Sequence, residues 1–393
     1  MTLIGSDTAY GEKSFVMKNE NGLFSDLPAG LLEDIIEKTA EVGEGLLSEF
    51  SQMLAKRSSM RAELREKGIV ISEQALGLVS TPTTCATDGS YAIERLLSID
   101  LVAAAAVVVE GITPPSEKRH WQEPRHETYV ESEVHHADTG TILRALMLGN
   151  ELLLAVKAPH DLVMLDGSLF LPTIYFNQAI SKTTGSELKT AKEFLAKLEN
   201  YLEAYSVVVA AERSDRQYIA LPKYSTRREI GEVMGWPETH DDRALLTQIL
   251  EPGELTKPIP VGTDEPWHIG LPANVQETLQ PLTGNIINAL KRVHVFYYKP
   301  NTWLPALRVE LPQAIALNDS RLAVVVQGLR NQCTTGSMLE PYPIYLADRM
   351  VKALAHALPT FRQIATQRLA ESYKGDISDV FHAMHGYRSE SGV

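Results

Sequence analysis

Cysteine is nearly absent from this chain. Its 393 residues include two, Cys85 and Cys333. They share no metal-ligand or redox spacing, which excludes a disulfide scaffold. Two small buried hydrophobes in a reducing compartment are expected instead. Positive charge is also short: 37 Lys and Arg face 50 Asp and Glu, a net charge of −13. The chain as a whole therefore presents no electrostatic footprint for nucleic acid, and any such contact must come from a local basic stripe or from carboxylates that hold a cation. Long apolar runs are missing too. The longest, Leu101 to Val109, has nine residues, about half of the ~20 a membrane-spanning helix needs. The opening MTLIGSDTAYGEKS has neither the basic nor the apolar region of a signal peptide. The expectation is a cytoplasmic protein with no membrane contact. A G-x-x-x-x-G-K-[ST] phosphate loop and a G-x-S-x-G elbow are likewise absent, which argues against an ATPase and a serine hydrolase.

What is present is a chain long and apolar enough to bury a core. Residues 1–27 carry Gly, Ser, Asn and Asp with little periodicity and are expected to form a flexible arm. Residues 28–80 form an N-terminal helical region. There Leu31, Ile35, Ile36, Val42, Leu46, Leu47, Phe50 and Leu54 recur at helical spacing. One long helix is predicted over 31–67, weakened by Gly43 and Gly45 and capped at Gly68. Such a helix packs either on its own domain or on a second subunit. Residues 81–360 form the main domain, and 361–393 a polar tail.

In the main domain, Thr83–Thr87, Ile99–Glu110 and Thr128–His135 read as strands, Thr139–Lys157 as a helix and Asp161–Leu165 as a buried strand. Further on, 186–204 reads as a helix, Val207–Ala211 as an apolar strand, and Val293–Tyr298 with Ala306–Leu311 as a hairpin. Thr226–Met234, Asp241–Leu250, Asn318–Asn331 and Tyr345–Leu358 read as helices.

Two Asp-Gly-Ser triplets, at Asp88 and Asp166, are the main chemical signal. Each follows an apolar strand, and each glycine permits a sharp turn or a close approach. Asp-Gly-Ser is also an ordinary turn, but two strand-end copies in this element order are harder to dismiss. Strand, strand, strand, helix, strand is the start of a ribonuclease-H-like fold. The expected class is α/β, a mixed sheet flanked by helices, with the long N-terminal helix added. Its chemistry needs carboxylates on the first and fourth strands and on the helix between them. Close carboxylates bind hard divalent ions, and two such ions activate water against a phosphodiester.

The segments ATDGSYA, DLVMLDGSL, HDDRALLTQILEPGE, YYKPNTWLPALRVELP and YPIYLADRMVKAL occur in that order. Together they resemble the NurA nuclease family over about residues 80–360. The resemblance implies a DNA nuclease dependent on Mn2+ or Mg2+, with a two-metal site. It also implies a homodimer docked on a HerA-type hexameric ATPase. Carried over residue by residue, it implies Asp88, Glu151, Asp166 and Asp348 as metal ligands and catalytic residues, with Tyr342, the motif tyrosine, as a further catalytic residue. Glu151 is the Glu of the 139–157 helix; Glu133, on the preceding strand, is the alternative.

One departure stands out. The family pattern has a strand leading to a basic residue and then a hydroxyl, whereas Ala211-Glu212-Arg213-Ser214 puts an acid there. Arg213, Lys223, Arg227 and Arg228 are the candidates for DNA contact. His120, His126, His135 and His136 cluster without helical zinc spacing and read as surface residues. The leading reading is a nuclease that processes DNA ends. The alternative is a non-catalytic adaptor for a DNA motor with the same fold, and a third, weaker reading is a structural protein of replication or defence machinery.

Overall fold

The computed structural model describes residues 27–236, 238, 241–261 and 267–392; the arm expected over 1–27 lies almost wholly outside them. The chain divides into two units, Met1–Ser58 and Ser59–Val393. In the first, helix α1 (Ala29–Glu66) begins, and its Leu31, Ile35, Ile36, Val42, Leu46 and Leu47 are exposed. The helix ends in the second unit at Gly68, where φ is +63° and Ile69 N–H reaches the Leu64 carbonyl. This is the left-handed glycine stop expected from the sequence.

The rest of the second unit runs β1 (Val70–Ser72), β2 (Thr84–Leu96), β3 (Asp100–Glu110), β4 (Arg125–Glu133), α2 (Thr139–Lys157), β5 (Leu162–Asp166), α3 (Leu171–Thr183), α4 (Lys189–Ala210) and β6 (Gln217–Leu221). It continues with α5 (Glu229–Met234), α6 (Asp242–Ile249), β7 (Glu254–Thr256), β8 (Ile259–Pro260), α7 (Gln276–Leu290), β9 (His294–Lys299) and β10 (Leu307–Leu311). It closes with α8 (Gln313–Ala316), α9 (Asp319–Gln332), α10 (Tyr342–Ser372), α11 (Ile377–Ala383) and β11 (Gly386–Gly392).

One mixed sheet organises this unit, in the order β1-β7-β9-β10-β6-β5-β2-β3-β4. The β2–β3 and β3–β4 pairs are antiparallel, and β2–β5 and β5–β6 are parallel. That is the ribonuclease-H-like core expected from the element order. Its centre is buried on both faces, as a parallel segment requires. Small residues make this possible. Ala103, Ala104 and Ala106 of β3 are fully buried, and β3 packs against both α2 and α10. Leu358 of α10 sits on Ala92 and Ala103. Gly149 of α2 lets the Tyr201 ring of α4 come within 2.5 Å of where a Cβ would stand. Helix α2 is the one described helix long and apolar enough to cross a membrane, yet it is mostly buried in this core.

Two local readings need correction. Val207–Ala211 is no strand: it forms the end of α4 and its cap, where Ala211 adopts a left-handed φ of 44°. The run is apolar because Val208 and Val209 face the core, while Val207 is exposed. The strand of this region comes later, as β6. The stretch read as a tail carries the end of α10, α11 and β11, and β11 pairs antiparallel with β2.

Candidate metal centre

The parallel ladder places the two triplets side by side. Thr84 pairs with Leu162 and Thr87 with Leu165. This offset of 78 residues, 165 − 87, equals the spacing of Asp88 and Asp166. The two strands differ beyond that point. At Asp166 the chain leaves β5 through Gly167, whose φ is +98°, so this triplet is the strand-end turn that its sequence predicts. Asp88 instead lies in the middle of a 13-residue strand. Gly89 makes no turn there; it provides room. A Cβ on it would stand 2.5 Å from both Glu151 Oε1 and Met147 Cγ of α2.

Asp88, Asp166 and Asp348 each bring a carboxylate oxygen within 4.8 Å of the other two. Among the described residues no other group of three His, Cys, Asp or Glu does so. Asp348 comes from the second turn of α10, which lies across β2 and β3. Glu151 is buried behind the first triplet and is electrostatically coupled to Asp88 and Asp166. The alternative, Glu133, belongs elsewhere: its Oε2 accepts from the Thr190 N–H (2.9 Å) and hydroxyl (3.2 Å) at the start of α4.

Crowding sets the protonation of the site. Burial, then the neighbouring Asp166, push the Asp88 carboxyl up to about 8. Burial, then Asp88 and Asp166, also raise Glu151. Burial likewise raises Asp166, with the Lys223 ammonium opposing it. Asp348 goes the other way: although burial would lift it, bonds from Lys352 and Lys223 hold it below the usual range. Asp88 Oδ2 is buried with no hydrogen-bond donor. A hard oxygen donor set, a buried carboxyl oxygen without a hydrogen-bond partner and mutual repulsion are what a divalent cation relieves. The residues fit such an ion.

Lys223 is placed differently from the expectation that it lies on a DNA-gripping stripe. It follows β6, whose Leu221 pairs with Asp166. Its Nζ stands 2.7 Å from Asp166, 3.1 Å from Asp348 and 3.2 Å from Glu340. Burial alone would lower its pKa, but the three carboxylates win and raise it, so it stays an ammonium. The strand of this region is β6 and the basic residue after it is Lys223, with Ser225 two positions on; Glu212 follows the end of α4, not a strand.

The other candidates disperse. Arg213 precedes β6, at the opposite end of that strand from Lys223, and pairs with Asp215 at 2.5 Å. Arg227 is exposed, and an Arg228 Nη donates to the Trp236 carbonyl. Tyr342 opens α10 six residues before Asp348, about 240° around the helix at ~100° per residue. It lines a separate cleft of about 170 Å³ with Trp121 and Met350. His135 pairs with Asp100 at 2.7 Å, and His136 accepts from the Asp138 N–H at 3.2 Å.

Sequence reasoning missed two carboxylates, Glu340 and Glu310. Glu310 Oε2 accepts from the Ser168 hydroxyl at 2.6 Å and from the Leu169 N–H at 3.0 Å, so it holds the turn that carries Asp166. Its Oε1 accepts from Arg308 at 3.2 Å. Arg308, 1% exposed at its side chain, also makes two 2.8 Å bonds to Glu229. The Arg-Val-Glu-Leu-Pro segment therefore acts as a buried clamp on the second triplet.

The NurA domain profile matches residues 82–353. Among solved structures, the NurA nuclease from Sulfolobus solfataricus aligns with a TM-score of 0.54 at 14% identity, covering 87% of this chain and 98% of that one. A NurA bound to dAMP and manganese aligns with a TM-score of 0.43 at 12% identity, covering 79% and 93%. No curated protein matches in sequence. At such identities the first of these likenesses shows a shared fold.

Proposed function

Because this chain belongs to the NurA family of nucleases, its profile spanning residues 82–353, we propose that it is a metal-dependent deoxyribonuclease that hydrolyses phosphodiesters at DNA ends. The observation that carries this reading is the trio Asp88, Asp166 and Asp348, with oxygens within 4.8 Å and one buried oxygen lacking any donor. These three, backed by Glu151, would hold Mn2+ or Mg2+. When bound, the cation supplies Lewis-acid chemistry, activating water and stabilising the leaving oxygen. The parallel register sets Asp88 and Asp166 side by side where the β2–β5 ladder ends. Lys223 presents an ammonium beside Asp166 and Asp348, where a phosphodiester oxygen would acquire charge. Burial, then the neighbouring Asp88 and Asp166, raise the Glu151 carboxyl.

The wider setting belongs to the same proposal. With a net charge of −13 and Arg213 and Arg228 engaged within the chain, phosphate contacts are few, and these normally supply most DNA affinity. A HerA-like hexameric ATPase lending a basic channel would supply the grip. The exposed apolar face of α1 supports a homodimer, and the near-absence of cysteine supports a cytoplasmic setting.

End-labelled linear DNA incubated with Mn2+ or Mg2+, with and without such an ATPase, tests the reading. Cleavage lost in both Asp88→Asn and Asp166→Asn is expected. Cleavage retained in both, or absent from the wild type under every condition, rejects it. A second reading, a non-catalytic adaptor, draws on Lys223. An ammonium gripped by three carboxylates partly satisfies them without any metal. Unaltered stimulation of the ATPase by a protein that never cleaves would favour that reading.

A further inference from the structure

Three carboxylates converge on one ammonium beside the metal trio. Lys223 Nζ stands 2.7 Å from Asp166 Oδ2, 3.1 Å from Asp348 Oδ1 and 3.2 Å from Glu340 Oε2. An ammonium has three N–H groups, so it has as many carboxylate partners as donors. They come from separate places in the chain: the end of β5, the second turn of α10 and the residue two before that helix. None of the four side chains is more than 30% exposed, so this is not a screened surface pair of the kind that contributes little. Asp166 and Asp348 also belong to the trio with Asp88. Two cations about 4 Å apart share bridging carboxylates in the same way, each ion keeping its own further ligand. Asp88 completes one such set. Glu340 completes the other, and a side chain of the protein already fills it.

Resting on the nuclease reading, we propose that the centre holds one divalent ion, on Asp88, Asp166 and Asp348, and that Lys223 is its built-in second cation, seated in a position formed by Asp166, Asp348 and Glu340. The ammonium excludes a second ion, because a dication there would have to share Asp166 and Asp348 with a like charge at contact distance. The two-metal centre expected from the resemblance gives way to one metal ion and one ammonium. Glu340 thereby gains a role that its sequence does not suggest. It is no ligand of the first ion; it is the third wall of the second position and holds the lysine there. The division of labour follows from the chemistry of the two cations. An ammonium carries no open coordination position, so it stabilises charge and cannot activate a water as a metal ion does.

The test counts ions and needs no DNA. The full chain is titrated with Mn2+ by calorimetry, and the bound ion is followed by electron paramagnetic resonance. The wild type should bind one ion per chain, with the signal of an isolated Mn2+. Lys223→Ala should bind two, and their signal should show the spin coupling of ions about 4 Å apart. That coupling separates the vacated position from adventitious binding on an acidic surface. Glu340→Gln added to Lys223→Ala should return the count to one, and Lys223→Arg, which keeps the cation, should stay at one. Two coupled ions in the wild type, or none, overturn the proposal whether or not the variants fold. A folded Lys223→Ala protein with a single ion also overturns it, and two coupled ions in the double variant remove Glu340 from the second position. A protein that binds one ion and cleaves nothing keeps this inference and rejects only the hydrolysis. One that cleaves DNA with two coupled ions bound keeps the hydrolysis and rejects this inference.

Discussion

Glu151 Oε1 occupies the space where Gly89 would carry a side chain, 2.5 Å from the ideal Cβ position. The glycine of the first triplet is thus an opening in the sheet through which a helix carboxyl reaches the back of Asp88. The smallest possible addition closes it. Gly89→Ala must displace both Glu151 and Met147 in a packed core, where overpacking costs about 1–3 kcal/mol. The expected result is a lower melting temperature and loss of metal-dependent cleavage. Gly167→Ala would instead strain a positive φ without touching Glu151. A Gly89→Ala protein with wild-type stability and cleavage would show that the contact is incidental.

The raised Asp88 carboxyl makes stability depend on pH in an unusual direction. Between the ordinary carboxylate range and about 8, the folded chain holds a proton that the unfolded chain has released. Stability is therefore present at low pH and falls as pH rises through that window. Asp88→Asn removes the titration. In chelator, the wild type should melt progressively lower from pH 5 to 8.5, while Asp88→Asn changes less and melts higher at the alkaline end. Adding Mn2+ should restore the wild type at alkaline pH and leave the variant nearly unmoved. Parallel pH curves for the two proteins would show that the pH dependence does not arise at Asp88.

Lys223 competes with any cation for Asp166 and Asp348. Its removal should separate binding from chemistry. Lys223→Ala is expected to bind Mn2+ more tightly by calorimetry, because a rival ammonium has gone. The same variant should cleave about 10²–10³-fold more slowly, the usual cost of deleting one group aimed at developing charge. Weaker metal binding in this variant would mean that the lysine organises the carboxylates and does not rival the ion.

The core was legible where chain order and local pattern carry the information. The β2–β5 region and its helix follow from periodicity, and the equal spacing of triplets and ladder puts both aspartates in register. What stayed hidden depends on contacts between distant segments. Lys223 reaches Asp348 across 125 positions, and Glu310 reaches Ser168 across 142; no local pattern reports either. The one available signal for Lys223 was masked by Val207–Ala211, whose β-branched run obeys strand composition while packing as a helix. Once that stretch is read as helix, Gln217–Leu221 becomes the next strand, and Lys223 falls at its end just as Asp166 does.

Glu310 gives the clamp a distinct signature. One of its oxygens accepts both bonds that fix the Asp166 turn, and the other faces Arg308. Glu310→Ala leaves the half-buried Ser168 hydroxyl and the buried Leu169 N–H without their acceptor, at about 1–3 kcal/mol for the buried N–H. It also frees the turn around Gly167 that aims Asp166. Glu310→Gln can keep a carbonyl oxygen toward Ser168 and Leu169, but it turns an amide toward Arg308 and removes a charge from the Glu229–Arg308–Glu310 network. Glu229 still pairs with the arginine through two bonds, so the chain should fold in both cases. The expected pattern is a split: Gln lowers the melting temperature yet keeps most of the cleavage, whereas Ala lowers both and weakens Mn2+ binding. Melting curves, calorimetric metal titration and single-turnover cleavage on the same preparations distinguish these outcomes. A folded Ala variant with wild-type metal affinity and turnover would show that the Asp166 turn holds without Glu310.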